Sequence, residues 1–173
     1  MMGGSPASGM MGGSGSMMGD GTYHYAPLAC SAPDGLPGTT VAVMLGDMGM
    51  TQMMAGTAPM GARMMLRSSL ISAPAGHVSF VAANMGWRTH ELVILPLADG
   101  QQAGSRVPGP DGKVEETGSL GETSTPCGAG AGEGITSGSV GWVTVTLPVG
   151  HYELLCNEPN HYADGMWQEF TVT

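Results

Sequence analysis

Between residues 39 and 172 the chain is cut by glycine and proline into short runs rich in Val, Thr, Leu and aromatic residues. The runs are Thr39 to Leu45, Met64 to Ser69, Gly76 to Ala83, His90 to Leu97, Val140 to Leu147, His151 to Cys156 and Trp167 to Val172. β-Branched and aromatic side chains suit a pleated, half-buried surface, and runs of this length bounded by turn formers read as strands. Seven or eight such strands predict an all-β sandwich or barrel. Alternation inside the runs assigns faces. Val78, Phe80 and Ala82 alternate with Ser79 and Val81, while Tyr152, Leu154 and Cys156 share one face against His151 and Glu153 on the other. Cys156 is therefore expected to face inward.

Three segments stand outside this rhythm. Residues 1 to 22 are low in complexity, with six Met, seven Gly and four Ser in the first 19, and cannot bury enough surface to offset their chain entropy. They are predicted to be a flexible Met/Gly/Ser-rich tail ahead of a single domain spanning 23 to 173. Residues 47 to 62 place Met48, Met50, Met53, Met54 and Met60 among Gly, Ala and Thr, and suit either a loop or a short helix. Residues 98 to 138 hold eleven Gly, three Pro and six acidic residues against two basic ones. That is far too long for an ordinary connection, so the segment is read as a Gly-rich insertion with one helical turn around Val114 to Leu120.

Charge narrows the partners. Fourteen Asp and Glu against five Lys and Arg give a net charge of -9, which disfavours nucleic acid. Glu115, Glu116, Glu122 and Glu133 are expected to form a solvated face. No stretch is apolar for long enough to span a bilayer, and the start lacks the basic and apolar regions of a secretion signal. If the protein is exported, its signal is absent from this chain.

The last 18 residues carry the most informative motif, Cys156-Asn-Glu-Pro-Asn-His161-Tyr-Ala-Asp-Gly-Met166. Thiol, imidazole and thioether follow one another at equal spacing, and all three are soft or borderline metal donors. One thiolate and two imidazoles in a plane, with a long axial thioether, form the arrangement that binds copper for electron transfer. The thiolate comes from a strand end, and the loop bearing Pro159 lets His161 and Met166 return to the same ion. A second His is needed. His90, at a loop-to-strand junction after Asn84-Met-Gly-Trp-Arg-Thr, is favoured over His77, His151 and His24, which read as surface or capping residues.

These features resemble the cupredoxins, the type 1 blue copper proteins. The likeness rests on the C-x4-H-x4-M run, Pro74-Ala-Gly-His-Val-Ser-Phe, the Asn84 to His90 approach and Leu147-Pro-Val-Gly-His-Tyr-Glu-Leu-Leu-Cys156. Within that family the chain is most similar to sulfocyanin-like proteins, with rusticyanin and azurin more distant. The resemblance covers Tyr23 to Thr173 and implies a Greek-key β-sandwich with one type 1 copper held by His90, Cys156, His161 and axial Met166. Two departures bear on the hydrogen bonds around the metal. Glu91 stands where many members have Asn after the first ligand His, and Asn157 stands where many have Ser or Thr after the Cys.

The implied function is a non-enzymatic electron carrier cycling between Cu(I) and Cu(II), with redox partners of the oxidase or cytochrome class. His161 would be the edge through which electrons pass, ringed by Met85, Trp87, Pro159, Tyr162 and Ala163. A copper oxidase would need a His-Cys-His arrangement that the sequence lacks. With Cys156 reserved for metal, Cys30 and Cys127 form an even remainder and are expected to pair as a disulfide, placing the protein outside the cytoplasm: periplasmic, on the cell surface or secreted. Sixteen Met against six Phe and Tyr leave an alternative open. Thioethers select Cu(I), so the Met-rich segments suit a copper buffer or chaperone with weak additional Cu(I) sites.

Overall fold

The computed structural model describes residues 28–47 and 64–173. The proposed boundary between tail and domain, His24 and the methionines from Met48 to Met60 lie outside the described residues.

Ten strands build two sheets among the described residues. They are β1 (Thr39–Asp47), β2 (Met64–Ser68), β3 (Ser72–Ala73), β4 (Gly76–Asn84), β5 (Leu92–Pro96), β6 (Gly121–Thr123), β7 (Gly128–Ala129), β8 (Val140–Leu147), β9 (Gly150–Leu155) and β10 (Trp167–Val172). One sheet runs β2-β1-β4-β8-β7 and the other β3-β10-β9-β5-β6. Long antiparallel ladders join β4 to β8 and β9 to β10, while β1 lies parallel to β4. The result is the all-β Greek-key sandwich that the strand pattern and the resemblance implied. All seven expected runs form strands. The three additional ones, β3, β6 and β7, are two or three residues long and carry too few side chains to show a period.

Between the sheets, Val41, Val43 and Leu45 of β1 and Val78, Phe80 and Ala82 of β4 meet Leu154, Phe170 and Val172 from β9 and β10. The rings of Phe80 and Phe170 pack edge to face with centroids 5.4 Å apart. Such a contact adds about 1 kcal/mol beyond the area it buries. Ser79 is buried on the opposite side of β4, where its hydroxyl donates to the Pro37 carbonyl at 2.6 Å.

The insertion departs from expectation in two ways. It contains no helical turn at Val114 to Leu120. Both backbone groups of Val114 are taken by the Asn157 side chain, with N–H to Oδ1 at 2.7 Å and Nδ2 to the carbonyl at 2.9 Å, so they do not form a local helical bond. Its strands instead extend both sheets, β6 pairing with β5 and β7 with β8.

The insertion also covers the outer face of the second sheet. Val93, Leu95, Val114, Leu155 and Tyr162 form a second apolar cluster there. This cover explains why β5 is buried on both faces and why Glu153, expected on the face opposite the core, is completely enclosed. Its carboxylate accepts Gly104 N–H at 2.6 Å, the Tyr162 hydroxyl at 2.9 Å and Arg106 Nε at 2.6 Å. The acidic residues of the insertion are likewise only partly a solvated face. Glu115 and Glu133 are exposed, whereas half-buried Glu116 accepts from Asn157 and half-buried Glu122 from Ser124.

Cys30 and Cys127 form a disulfide across a sequence separation of 97, and Cys156 is the free thiol. The bridge ties the insertion to the segment ahead of β1, where Ala29 N–H also donates to the Gly138 carbonyl at 2.7 Å.

Candidate metal centre

One end of the sandwich gathers the end of β1, the end of β4, the approach to β5 and the turn between β9 and β10. Cys156 follows the last residue of β9, and its N–H donates to the Met166 carbonyl at 3.0 Å, which closes the base of the loop. Within that loop His161 N–H donates to the Glu158 carbonyl, Asp164 N–H to Asn160 and Gly165 N–H to Tyr162, each at 3.0 Å. These successive turns fold the eleven residues from Cys156 to Met166 back on themselves, so equal spacing in sequence becomes proximity in space. Asn160 has φ 69°, the left-handed conformation that Asn tolerates better than most residues. Its N–H donates to the Gly112 carbonyl at 2.9 Å. A Cβ at Gly112 would stand 2.6 Å from Asn160 Oδ1, so the insertion can approach this loop only through glycine.

His90 arrives by a different route. It forms an isolated antiparallel bridge with Ile135, donating at 3.1 Å and accepting at 2.7 Å. Asn84 braces the preceding loop, donating from Nδ2 to the carbonyls of Arg88 and Ile135 at 2.7 Å each and accepting Gly86 N–H at 2.9 Å.

The outcome is a triangle of donor atoms. His90 Nδ1 and His161 Nδ1 are 3.2 Å apart, and Cys156 Sγ lies 3.4 Å from the His161 nitrogen and 3.9 Å from the His90 nitrogen. These three side chains are the only cluster of at least three metal-capable His, Cys, Asp or Glu groups among the described residues. Met166 is fully buried in the same core cluster as Cys156. His77 and His151 are exposed instead, bonded to Thr146 and Glu169. His77 is seven residues along β4 from Asn84, roughly 23 Å for an extended strand, and His151 begins near the far end of β9.

The surroundings set the protonation states. Burial pushes the Cys156 thiol up to about 12, opposed by the N–H groups of Glu91 and Glu158. The Glu91 N–H donates to Sγ at 3.3 Å. Burial, reinforced by His90 and Arg88, lowers His161 to about 4, so its ring is neutral at physiological pH and offers a lone pair. At His90, Nε2 lies 3.1 Å from Asp47 Oδ2. Burial works to raise the Asp47 carboxyl, but hydrogen bonds from His90, Arg88 and Trp87 hold it below its ordinary value. An ionised carboxylate only accepts, so Nε2 carries a proton and Nδ1 is the ring nitrogen turned toward Cys156 and His161. A soft sulfur and two imidazole nitrogens converging in a buried pocket fit copper.

Both departures from the family pattern have visible consequences. Glu91 retains the backbone donor to sulfur, because that bond does not involve its side chain. Its buried carboxyl is pushed up to about 7 by burial, with Glu158, Glu116 and Glu122 adding to the shift against Lys113, and its Oε1 has no partner. Asn157 fastens the insertion to the start of the metal loop through Val114 and Glu116, where Nδ2 reaches Oε1 at 2.6 Å.

Of the four expected ligands only His161 reaches the surface, at 5% exposure against 0% for His90, Cys156 and Met166. Trp87, Pro159 and Ala163 are exposed and Met85 is half-buried. Tyr162 does not belong to the expected rim. It turns inward, 3% exposed, to reach Glu153 and the Arg106 N–H. Asp47 was not legible as a site residue, since it lies 43 positions from His90 and no local motif marks it.

No family model matches the chain, and no curated protein matches it. Solved structures similar to it include auracyanin B, at 23% identity over 87% of this chain and 99% of the other, with a TM-score of 0.47. Auracyanin A, a "blue" copper protein from the green thermophilic photosynthetic bacterium Chloroflexus aurantiacus, matches at 14% identity over 78% and 99%, with a TM-score of 0.44. Rusticyanin from Thiobacillus ferrooxidans, anticipated above as a more distant relative, is also among them, at 20% identity over 83% and 86% and a TM-score of 0.42.

Proposed function

We propose that this chain is a type 1 blue copper protein that passes single electrons between redox partners of the oxidase or cytochrome class and performs no catalysis of its own. The observation that carries the reading is the buried triangle of Cys156 Sγ, His90 Nδ1 and His161 Nδ1, with separations of 3.2 to 3.9 Å. In this reading His90, Cys156 and His161 hold the ion and Met166 supplies the axial thioether. Copper bound there supplies a one-electron Cu(I)/Cu(II) couple.

The chain's own contribution is a stiff frame. His90 is held by backbone bonds to Ile135, and Cys156, His161 and Met166 by backbone bonds to one another and to Glu158 within their loop, so little has to move when the charge of the site changes. Burial excludes water, and His161 offers the accessible edge, in the same loop as the exposed Pro159 and Ala163. The Cys30–Cys127 disulfide supports a location in an oxidising compartment outside the cytoplasm. No helix among the described residues is long and apolar enough to cross a membrane.

A second reading, Cu(I) buffering or delivery, is favoured by the placement of two residues. Asp47 and Met64 border the Met-rich stretch 48–63; Asp47 contacts His90, and Met64 N–H donates to the Asp164 carbonyl of the metal loop at 3.4 Å. Anaerobic Cu(I) titration of Cys156→Ser against a competing chelator separates the readings: retained Cu(I) supports a handling role, and none removes it. For the carrier, the test is a visible spectrum with a metal count. Wild type should bind one copper with an intense thiolate band, Cys156→Ser should lose that band, and Met166→Gln should keep the copper at a lower reduction potential. An unchanged blue spectrum in Cys156→Ser would overturn the carrier reading.

A further inference from the structure

The end of β1 brings a carboxylate against the far side of the His90 ring. Asp47 is the last residue of β1, and its side chain is 3% exposed. Oδ2 accepts three bonds: from His90 Nε2 at 3.1 Å, Trp87 N–H at 3.0 Å and Arg88 N–H at 2.8 Å. Oδ1 shares the Trp87 donor at 3.2 Å. The pocket is shaped for this group. A Cβ on Gly86 would come within 2.5 Å of Oδ2 and 2.8 Å of the Asp47 nitrogen, so only glycine lets the loop close over the carboxylate.

We infer that Asp47 is a positioning residue for the metal centre: it fixes His90 with Nδ1 toward the metal and biases the centre toward its oxidised state. The inference rests on the copper reading above. Two physical effects follow from the geometry. Accepting the Nε2 proton orients the imidazole and makes its other nitrogen a stronger donor, an arrangement whose disruption costs about 10- to 100-fold in metal affinity. The negative charge also stabilises the more positive oxidation state of a nearby ion, and with the group buried this interaction is weakly screened. Asp47 thus favours Cu(II) over Cu(I) and lowers the reduction potential. The Trp87 and Arg88 bonds serve a related purpose, because they tie the loop leading into His90 to the same oxygen.

Asp47→Asn tests the charge with little change of shape. An amide oxygen in the place of Oδ2 still accepts from His90, Trp87 and Arg88, while the charge is gone. The expected result is a retained blue band, a 10- to 100-fold weaker Cu(II) affinity and a raised potential by voltammetry, with Cu(I) affinity changed less. Asp47→Ala removes orientation as well and should also alter the visible band shape. A potential that stays the same or falls in Asp47→Asn, with the blue band intact, would overturn the inference. Nitrogen-15 NMR of the copper-free wild type supplies an independent readout, with the His90 proton expected on Nε2. A proton on Nδ1 with none on Nε2 would refute the orienting role even if copper binds. If the wild type fails to take up copper while the Nε2 proton is observed, the copper reading falls and the Asp47–His90 geometry stands.

Discussion

Removing the charge of Glu153 should loosen the frame behind the metal loop at a cost that the structure allows to be worked out. Its carboxylate is fully enclosed and joins three parts of the chain: β9 itself, Gly104 and Arg106 of the insertion, and Tyr162 next to His161. Arg106 is 17% exposed and donates from Nη2 to the Pro96 carbonyl at 2.8 Å, so it cannot swing freely into water when its partner changes. Truncating one member of a buried pair leaves the other charge uncompensated, at about 3–5 kcal/mol. Glu153→Gln keeps one carbonyl acceptor, which places it near the lower end, about 3 kcal/mol. Replacing both members with apolar residues, Glu153→Leu with Arg106→Met, removes the stranded charge but leaves the Gly104 N–H and the Tyr162 hydroxyl without their acceptor, at about 1–3 kcal/mol each, so it should cost at least as much as Glu153→Gln alone. Urea unfolding of the copper-free protein, followed by circular dichroism, measures each variant, and an unchanged slope shows that the same transition is being compared. A loss below about 1 kcal/mol for Glu153→Gln would refute the reasoning. So would a double variant clearly more stable than Glu153→Gln, because the two donors to Glu153 would then need no acceptor.

Two further expectations concern the disulfide and the proton on the thiol. Replacing Cys30 and Cys127 with Ser frees a loop spanning 97 positions, which the chain-entropy account puts at about 4–5 kcal/mol; a loss under about 1 kcal/mol in chemical denaturation, or a lost blue band, would contradict a bond that fastens the insertion without touching the metal site. Because the Cys156 thiol is pushed up to about 12 and His161 down to about 4, copper uptake near pH 7 should expel one proton from sulfur and none from His161. Affinity should then rise about tenfold per pH unit, with further loss from His161 only as pH falls toward 4. A pH-stat titration that releases no proton would refute this assignment, and Cys156→Ser should abolish the release.

What the sequence determined by itself was local. Strand positions followed from alternation and turn residues, since a pleated segment with one face in the core writes its burial into neighbouring positions. Val78, Phe80 and Ala82 are buried for that reason. The placement of Cys156 and Met166, with His161 between them, was legible because an eleven-residue loop joining two antiparallel strands must bring its own ends together. Tertiary structure decided everything that depends on which distant segments meet. Glu153 read as a residue on the outer strand face and is buried, because an insertion beginning some fifty positions earlier covers it. Val114 to Leu120 read as a helical turn and is not one, because Asn157 takes the backbone groups of Val114. His90 was separated from His77 and His151 by the end of the sandwich it occupies. Asp47 became visible only when β1, lying parallel to β4, carried its last residue to the loop that delivers His90. Sheet topology sets such long-range contacts, and a local pattern of side chains leaves them open.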